Sequence, residues 1–205
     1  MIPLNLEPFI FDCEVFAYDW LFVFKNKVTG EYTEIWNDNE TVEQFMTQEP
    51  LLAGFNNKHY DQFILKAVLS GFTPEEIKAV NDFIIVGGHE GWEYAPLRDC
   101  GIFFDQYDLM DDCQMGLSLK AIEAHLGMDI RETTVPFNID RPLTEDEKRE
   151  VEFYCRHDVD ATDRLDDLRQ GYLSSKLTLG REKGLYPAKA LYMTNAKLTA
   201  AYLDA

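Results

Sequence analysis

Positive charge is scarce in this sequence: 19 Lys and Arg stand against 37 Asp and Glu, a formal net charge of -18. That shortage excludes a protein that coats nucleic acid with its own side chains, because neutralising phosphates over a long footprint takes many basic residues. It leaves open an enzyme that holds a few nucleotides through bound cations. The shortage is uneven, since residues 1–170 carry 14 basic and 35 acidic residues while 171–205 carry 5 and 2. No run of about 18 apolar residues occurs, and no basic segment followed by an apolar one opens the chain, so a soluble, intracellular protein without a membrane partner is expected. Cysteine is sparse as well. Cys13, Cys100, Cys113 and Cys155 form no C-x-x-C pair and the four histidines form no H-E-x-x-H, so zinc spacing is lacking and reduced thiols are expected.

What is present suffices for a full core, because 46% of the 205 residues are apolar. Phe9–Val15, Asp19–Phe24 and Tyr32–Trp36 read as strands of an antiparallel meander, with Val28-Thr29-Gly30-Glu31 as a turn. Helical spacing at Val42, Phe45 and Met46 precedes the apolar run Leu51–Phe55, which suits a buried parallel strand. A helix is expected from Tyr60 to Ser70 and another after the capping box at Thr73, with Pro74 in its first turn. Residues Gly87–Asp99 read as loop, Ile102–Met110 as strand, and Leu117–Leu126 as a helix stopped by Gly127. A second capping box at Thr144 opens a long helix expected to end at Gly171. Hairpin strands followed by alternating strands and helices imply an α/β fold with a mixed central sheet flanked by helices.

Several carboxylates stand where apolar residues belong. In the first strand Asp12 and Glu14 share one face with Ile10, and the first basic residue of the chain is Lys25, so solvent or a metal must offset them. An edge strand with a solvated face is the alternative. In the long helix the apolar stripe runs Val151, Tyr154/Cys155, position 158, Ala161/Thr162, Leu165 and Leu168, and position 158 is Asp. An ionised Asp there is costly unless paired, and neither Arg156 nor Arg164 faces it, although a distant Arg remains an alternative. Asp160, Asp163, Asp166 and Asp167 fall off the stripe and read as a solvated face. Asp61 shares a helical face with Ile64, Leu65 and Val68, or else serves the helix dipole from the first turn. Brought together, the four carboxylates, with no lysine among them, imply divalent cations.

With these residues in view, the chain resembles the Asp-Glu-Asp-Asp superfamily of 3′→5′ exonucleases, which have an RNase H-like fold. Asp12-Cys13-Glu14 is similar to the first motif, Asn57-Lys58-His59-Tyr60-Asp61 to the second, and Tyr154-Cys155-Arg156-His157-Asp158 to the third in its tyrosine form. His157 is then a bystander. The stretches Asp108–Met110 and Leu117–Lys120 resemble proofreading domains of phage-type, family B-like DNA polymerases, over about residues 7–170.

The resemblance implies that Asp12, Glu14, Asp61 and Asp158 bind two divalent cations, Mg2+ or Mn2+. It implies that Tyr154 orients the attacking water, that Lys120 assists catalysis and that Asn57 contacts the terminal nucleotides. Phe55, Tyr60 and Phe63 are candidates for a stacking platform. The implied partner is the 3′ end of single-stranded DNA, with a polymerase domain in the same parent chain and a bacterial or phage-infected cytoplasm as the setting. Residues 1–175 would then form the exonuclease domain, and 176–205 a helical extension or the start of a following module. An RNA-trimming relative and a non-catalytic acidic protein-binding module are the competing readings.

Overall fold

The computed structural model describes residues 8–111, 113 and 117–203. Aromatic and β-branched residues fill three strands, β1 (Pro8–Val15), β2 (Trp20–Asn26) and β3 (Tyr32–Trp36), which pair antiparallel in sequence order. Helix α1 (Asn39–Met46), capped by the Asp38 side chain, leads to β4 (Leu51–Gly54), which runs parallel to β1. Helices α2 (Asp61–Leu69), α3 (Pro74–Ile85) and the short α4 (Ala95–Arg98) precede β5 (Gln106–Asp108), parallel to β4. The sheet order is β3-β2-β1-β4-β5. The expected α/β architecture, a mixed sheet that begins with a meander, is therefore observed, and β1 is its central strand rather than an edge.

Helices α5 (Leu119–Leu126), α6 (Glu145–Glu182), α7 (Pro187–Tyr192) and α8 (Asn195–Leu203) complete the described residues. Alternation along the strands divides the core in two. Phe11, Cys13, Val15, Phe22, Phe24 and Leu52 pack with α1, α2 and α3 on one face. Ile10, Leu21, Val23, Ala53 and Tyr107 pack with α5, α6 and α7 on the other. The capping boxes at Thr73 and Thr144 are both formed, and Gly127 ends α5 with φ 67° as expected.

Four expectations are corrected. Helix α6 does not stop at Gly171 but continues to Glu182, so a division at 175 falls inside an unbroken helix. The chain after it packs back, with Ala188 and Leu191 in the main core and the Lys176 ammonium donating to the Leu191 carbonyl at 3.0 Å. The segment Gly87–Asp99 is not all loop, for it holds a 3-10 turn at Gly91–Glu93 and α4. The strand expected over Ile102–Met110 is confined to the three residues of β5.

The last correction concerns the face of α6. Leu168 is exposed, whereas Asp166 is fully buried. The expected stripe holds at Val151, Cys155, Asp158, Ala161, Thr162 and Leu165, all buried, and fails at Leu168, because a helix turns every 3.6 residues and a stripe stepped by 3.5 drifts off its face. The acidic row is therefore only partly a solvated face: Asp167 is exposed, but Asp166 is buried and all four aspartates are paired. Lys25 meets Asp160 and Asp163 at 2.7 Å, and Lys27 meets Asp163, Asp166 and Asp167 at 2.6, 3.0 and 2.8 Å. The Tyr107 hydroxyl donates to Asp166 at 2.8 Å. Together these bonds tie α6 to the sheet.

Candidate metal centre

β1 is longer than the strand beside it. β4 pairs with β1 only from Pro8 to Ile10, and the chain turns away after Gly54. From Asp12 onward β1 therefore has a free flank above the carboxyl ends of the parallel strands, where α/β proteins open a crevice. Asp12 and Glu14 lie on this stretch, opposite Val23 and Leu21 of β2, with Asp12 half-buried and Glu14 buried.

The second carboxylate segment is set by a buried carboxylate at the end of β5. Asp108 Oδ1 accepts from the backbone N–H groups of Asn56 and Met110, both at 2.8 Å, and Oδ2 accepts from Lys58 N–H at 3.0 Å. These bonds hold the turn at Asn56, whose φ is 66°, and α2 then starts at Asp61. Asp61 is buried and accepts from the Cys13 thiol at 3.2 Å. Its place in the first turn of a nine-residue helix also suits a negative charge.

The third segment is α6, which crosses β1 and points Asp158 at the crevice. Cys155 lies one turn earlier, its Sγ 3.8 Å from Asp12 Oδ2, and donor atoms of Asp12, Glu14 and Cys155 all lie within 4.8 Å of one another. The Lys120 ammonium of α5 pairs with Asp158 and sits 5.0 Å from the Tyr154 ring centre, so Tyr154, one turn before Asp158, borders the same cluster. The structure thus brings together Asp12, Glu14, Asp61, Asp158, Tyr154 and Lys120. It corrects the expectation of a cluster free of lysine, and it supplies the long-range partner of Asp158 as a Lys rather than an Arg.

Mutual repulsion is visible in the protonation equilibria. Burial, followed by the charges of Asp61, Glu14 and Asp158, pushes the Asp12 carboxyl well above its ordinary value. Burial and then Asp158 and Asp61 do the same to Glu14, with Lys120 in partial opposition. Burial raises Asp61 to about 6 despite the hydrogen bond from Cys13. Burial and the surrounding carboxylates also push the Cys155 thiol well up, so it stays protonated and offers no thiolate. The available donors are then carboxylate oxygens in need of positive charge, a set that fits hard cations such as Mg2+ or Mn2+ better than zinc.

Two clefts flank the cluster. One, of about 430 Å3, is lined by Asp12, Phe55, Asn56, Leu117, Asp158 and Thr162. The other, of about 400 Å3, is lined by Glu14, Tyr60, Ile85, Phe137 and Asn138 among others. Phe55 and Tyr60 therefore border the site, the Tyr60 hydroxyl being held by Asn81 at 2.7 Å. Two other candidates belong to the scaffold. Asn57 is completely buried, its amide 2.8 Å from the Gln106 side chain and beside the Gly54 and Tyr107 carbonyls, so the expected contact with nucleotides is corrected. Phe63 is buried against Gly91, where an added Cβ would lie 2.2 Å from its ring.

Sequence reasoning missed Cys155 and Glu123. The first is a neighbour of Tyr154 on the same helical stripe. The second is a fully buried carboxylate three residues after Lys120, a spacing that places both on one helix face. No helix among the described residues is long and apolar enough to cross a membrane. The chain matches no family model, no curated protein and no solved structure, so its function is argued from its own residues.

Proposed function

We propose that Asp12, Glu14, Asp61 and Asp158 hold two divalent cations, Mg2+ or Mn2+, and that the protein is a 3′→5′ exonuclease of RNase H-like fold acting on single-stranded DNA. The observation that carries this reading is the convergence of four carboxylates from β1, α2 and α6 at one crevice, with Tyr154 and Lys120 beside them. Bound by these carboxylates, the cations would activate a water and stabilise the leaving oxygen of an in-line displacement. Tyr154, one turn before Asp158 and beside the Lys120 ammonium, orients the attacking water from the α6 side. Lys120 contributes a positive charge where negative charge builds on the phosphate. Phe55 offers an aromatic face to a base in the cleft next to Asp12 and Asp158.

In the reaction, water adds to the terminal phosphorus, the bond to the preceding 3′ oxygen breaks, and that oxygen takes a proton. The products are a nucleoside 5′-monophosphate and a strand one residue shorter. The net charge of -18 supports a short footprint held through cations, as needed to trim a 3′ end received from a polymerase domain of the same parent chain. A 5′-labelled oligonucleotide with Mn2+ tests the proposal. A ladder that shortens from the 3′ end, faster on DNA than on RNA and absent in Asp12→Ala, is the expected result. Strong RNA preference sinks the DNA assignment, and hydrolysis undiminished in Asp12→Ala sinks the site.

A further inference from the structure

Asp158 is engaged by the Lys120 ammonium, so a cation that binds Asp158 competes with that ammonium for the same carboxylate. The Lys120 side chain is only 26% exposed, and an ammonium released at such a depth needs another acceptor. Glu123 lies one helical turn further along α5, and its Oε1 already accepts a long bond from Lys120 Nζ at 3.4 Å while the ammonium engages Asp158 more closely. Its side chain is fully buried, yet Oε2 has no hydrogen-bond partner among the described residues. A buried carboxylate oxygen without a partner is rare and costly. His157 does not supply one, for its Nε2 is 4.0 Å from Oε1, beyond hydrogen-bond reach, and itself has no hydrogen-bond partner among the described residues.

We propose that Glu123 is a positioning residue, the second seat of the Lys120 ammonium. As a cation takes Asp158, the ammonium passes to Glu123, fills the empty acceptor there and stays beside the Tyr154 ring. The flexible four-carbon stem of lysine spans both acceptors by rotation alone, since Lys120 and Glu123 are neighbours on one helix face. Without this seat the ammonium stays on Asp158 and opposes the cation. The inference rests on the reading of the carboxylates as a cation site.

Titrating Mn2+ into the 205-residue chain by calorimetry tests it without any nuclease assay. Glu123→Gln is expected to weaken Mn2+ binding on the order of tenfold, and in a Lys120→Met background the same change is expected to alter affinity less than about twofold. An equal loss in both backgrounds overturns the proposal, since mere removal of a negative charge near the cations acts without Lys120. No loss in either background overturns it too. Glu123→Met, which removes the buried polar group altogether, repeats the cycle if the amide perturbs folding. A wild-type chain that takes up no Mn2+ refutes the cation site itself, a result distinct from wild-type uptake that Glu123→Gln leaves unchanged.

Discussion

At the scale of single residues, the clustered carboxylates oppose folding when they ionise, and the proposed cations would relieve that opposition. Asp61 is raised to about 6, and Asp12 and Glu14 are raised as well, each first by burial. Between the unfolded and folded values the folded chain binds more protons, so metal-free stability falls as pH rises through that window. Asp61 alone accounts for roughly 2–3 kcal/mol of this loss. Asp163 has the opposite sign. Burial raises it, but bonds from Lys25 and Lys27 outweigh burial and hold it below its ordinary value. Its contribution is present at neutral pH and is lost as pH falls through its folded value. In EDTA the melting temperature is therefore expected to be higher near about pH 5 than near neutrality, with saturating Mn2+ raising it mainly at neutrality. A metal-free melting temperature that rises steadily from about pH 5 to neutrality contradicts the assigned repulsion.

At the scale of elements, two glycines of α6 make opposite predictions. Gly171 is exposed and an added Cβ meets nothing within 4 Å, so Gly171→Ala is expected to stabilise by about 1 kcal/mol through helix propensity. Gly180 lies where α7 approaches, and an added Cβ falls 2.4 Å from the Ala190 Cβ. Gly180→Ala is therefore expected to destabilise by about 1–3 kcal/mol, and thermal unfolding of both variants checks the pair. A loss on Gly171→Ala equal to that on Gly180→Ala contradicts the continuous helix. The starts of α3 and α6 were legible because capping boxes are local chemistry, and the end of α5 because Gly127 takes a left-handed φ. The end of α6 was not, because an exposed glycine costs only about 1 kcal/mol, which a long packed helix tolerates. Likewise the Asp160–Asp167 row carried no local sign that Lys25 and Lys27, more than 130 residues earlier, would face it.

At the scale of the whole molecule, Asp12, Glu14 and Asp158 were legible as polar intrusions on apolar faces, and Asp61 through its motif. Asn57 and Glu123 were not, because burial of a polar side chain is decided by the packing of distant elements rather than by its neighbours in sequence. An excess of 18 negative charges has a consequence for the chain as a whole: under the proposed function, nucleic acid would approach only where bound cations reverse the local sign. The proposed site is tested most directly by counting the cations it binds. Equilibrium titration of Mn2+ is expected to give two bound ions per wild-type chain and loss of binding in Asp12→Ala, whose carboxylate sits between the others. Wild-type chains that bind none, or an Asp12→Ala variant that still binds two with unchanged affinity, would contradict the account.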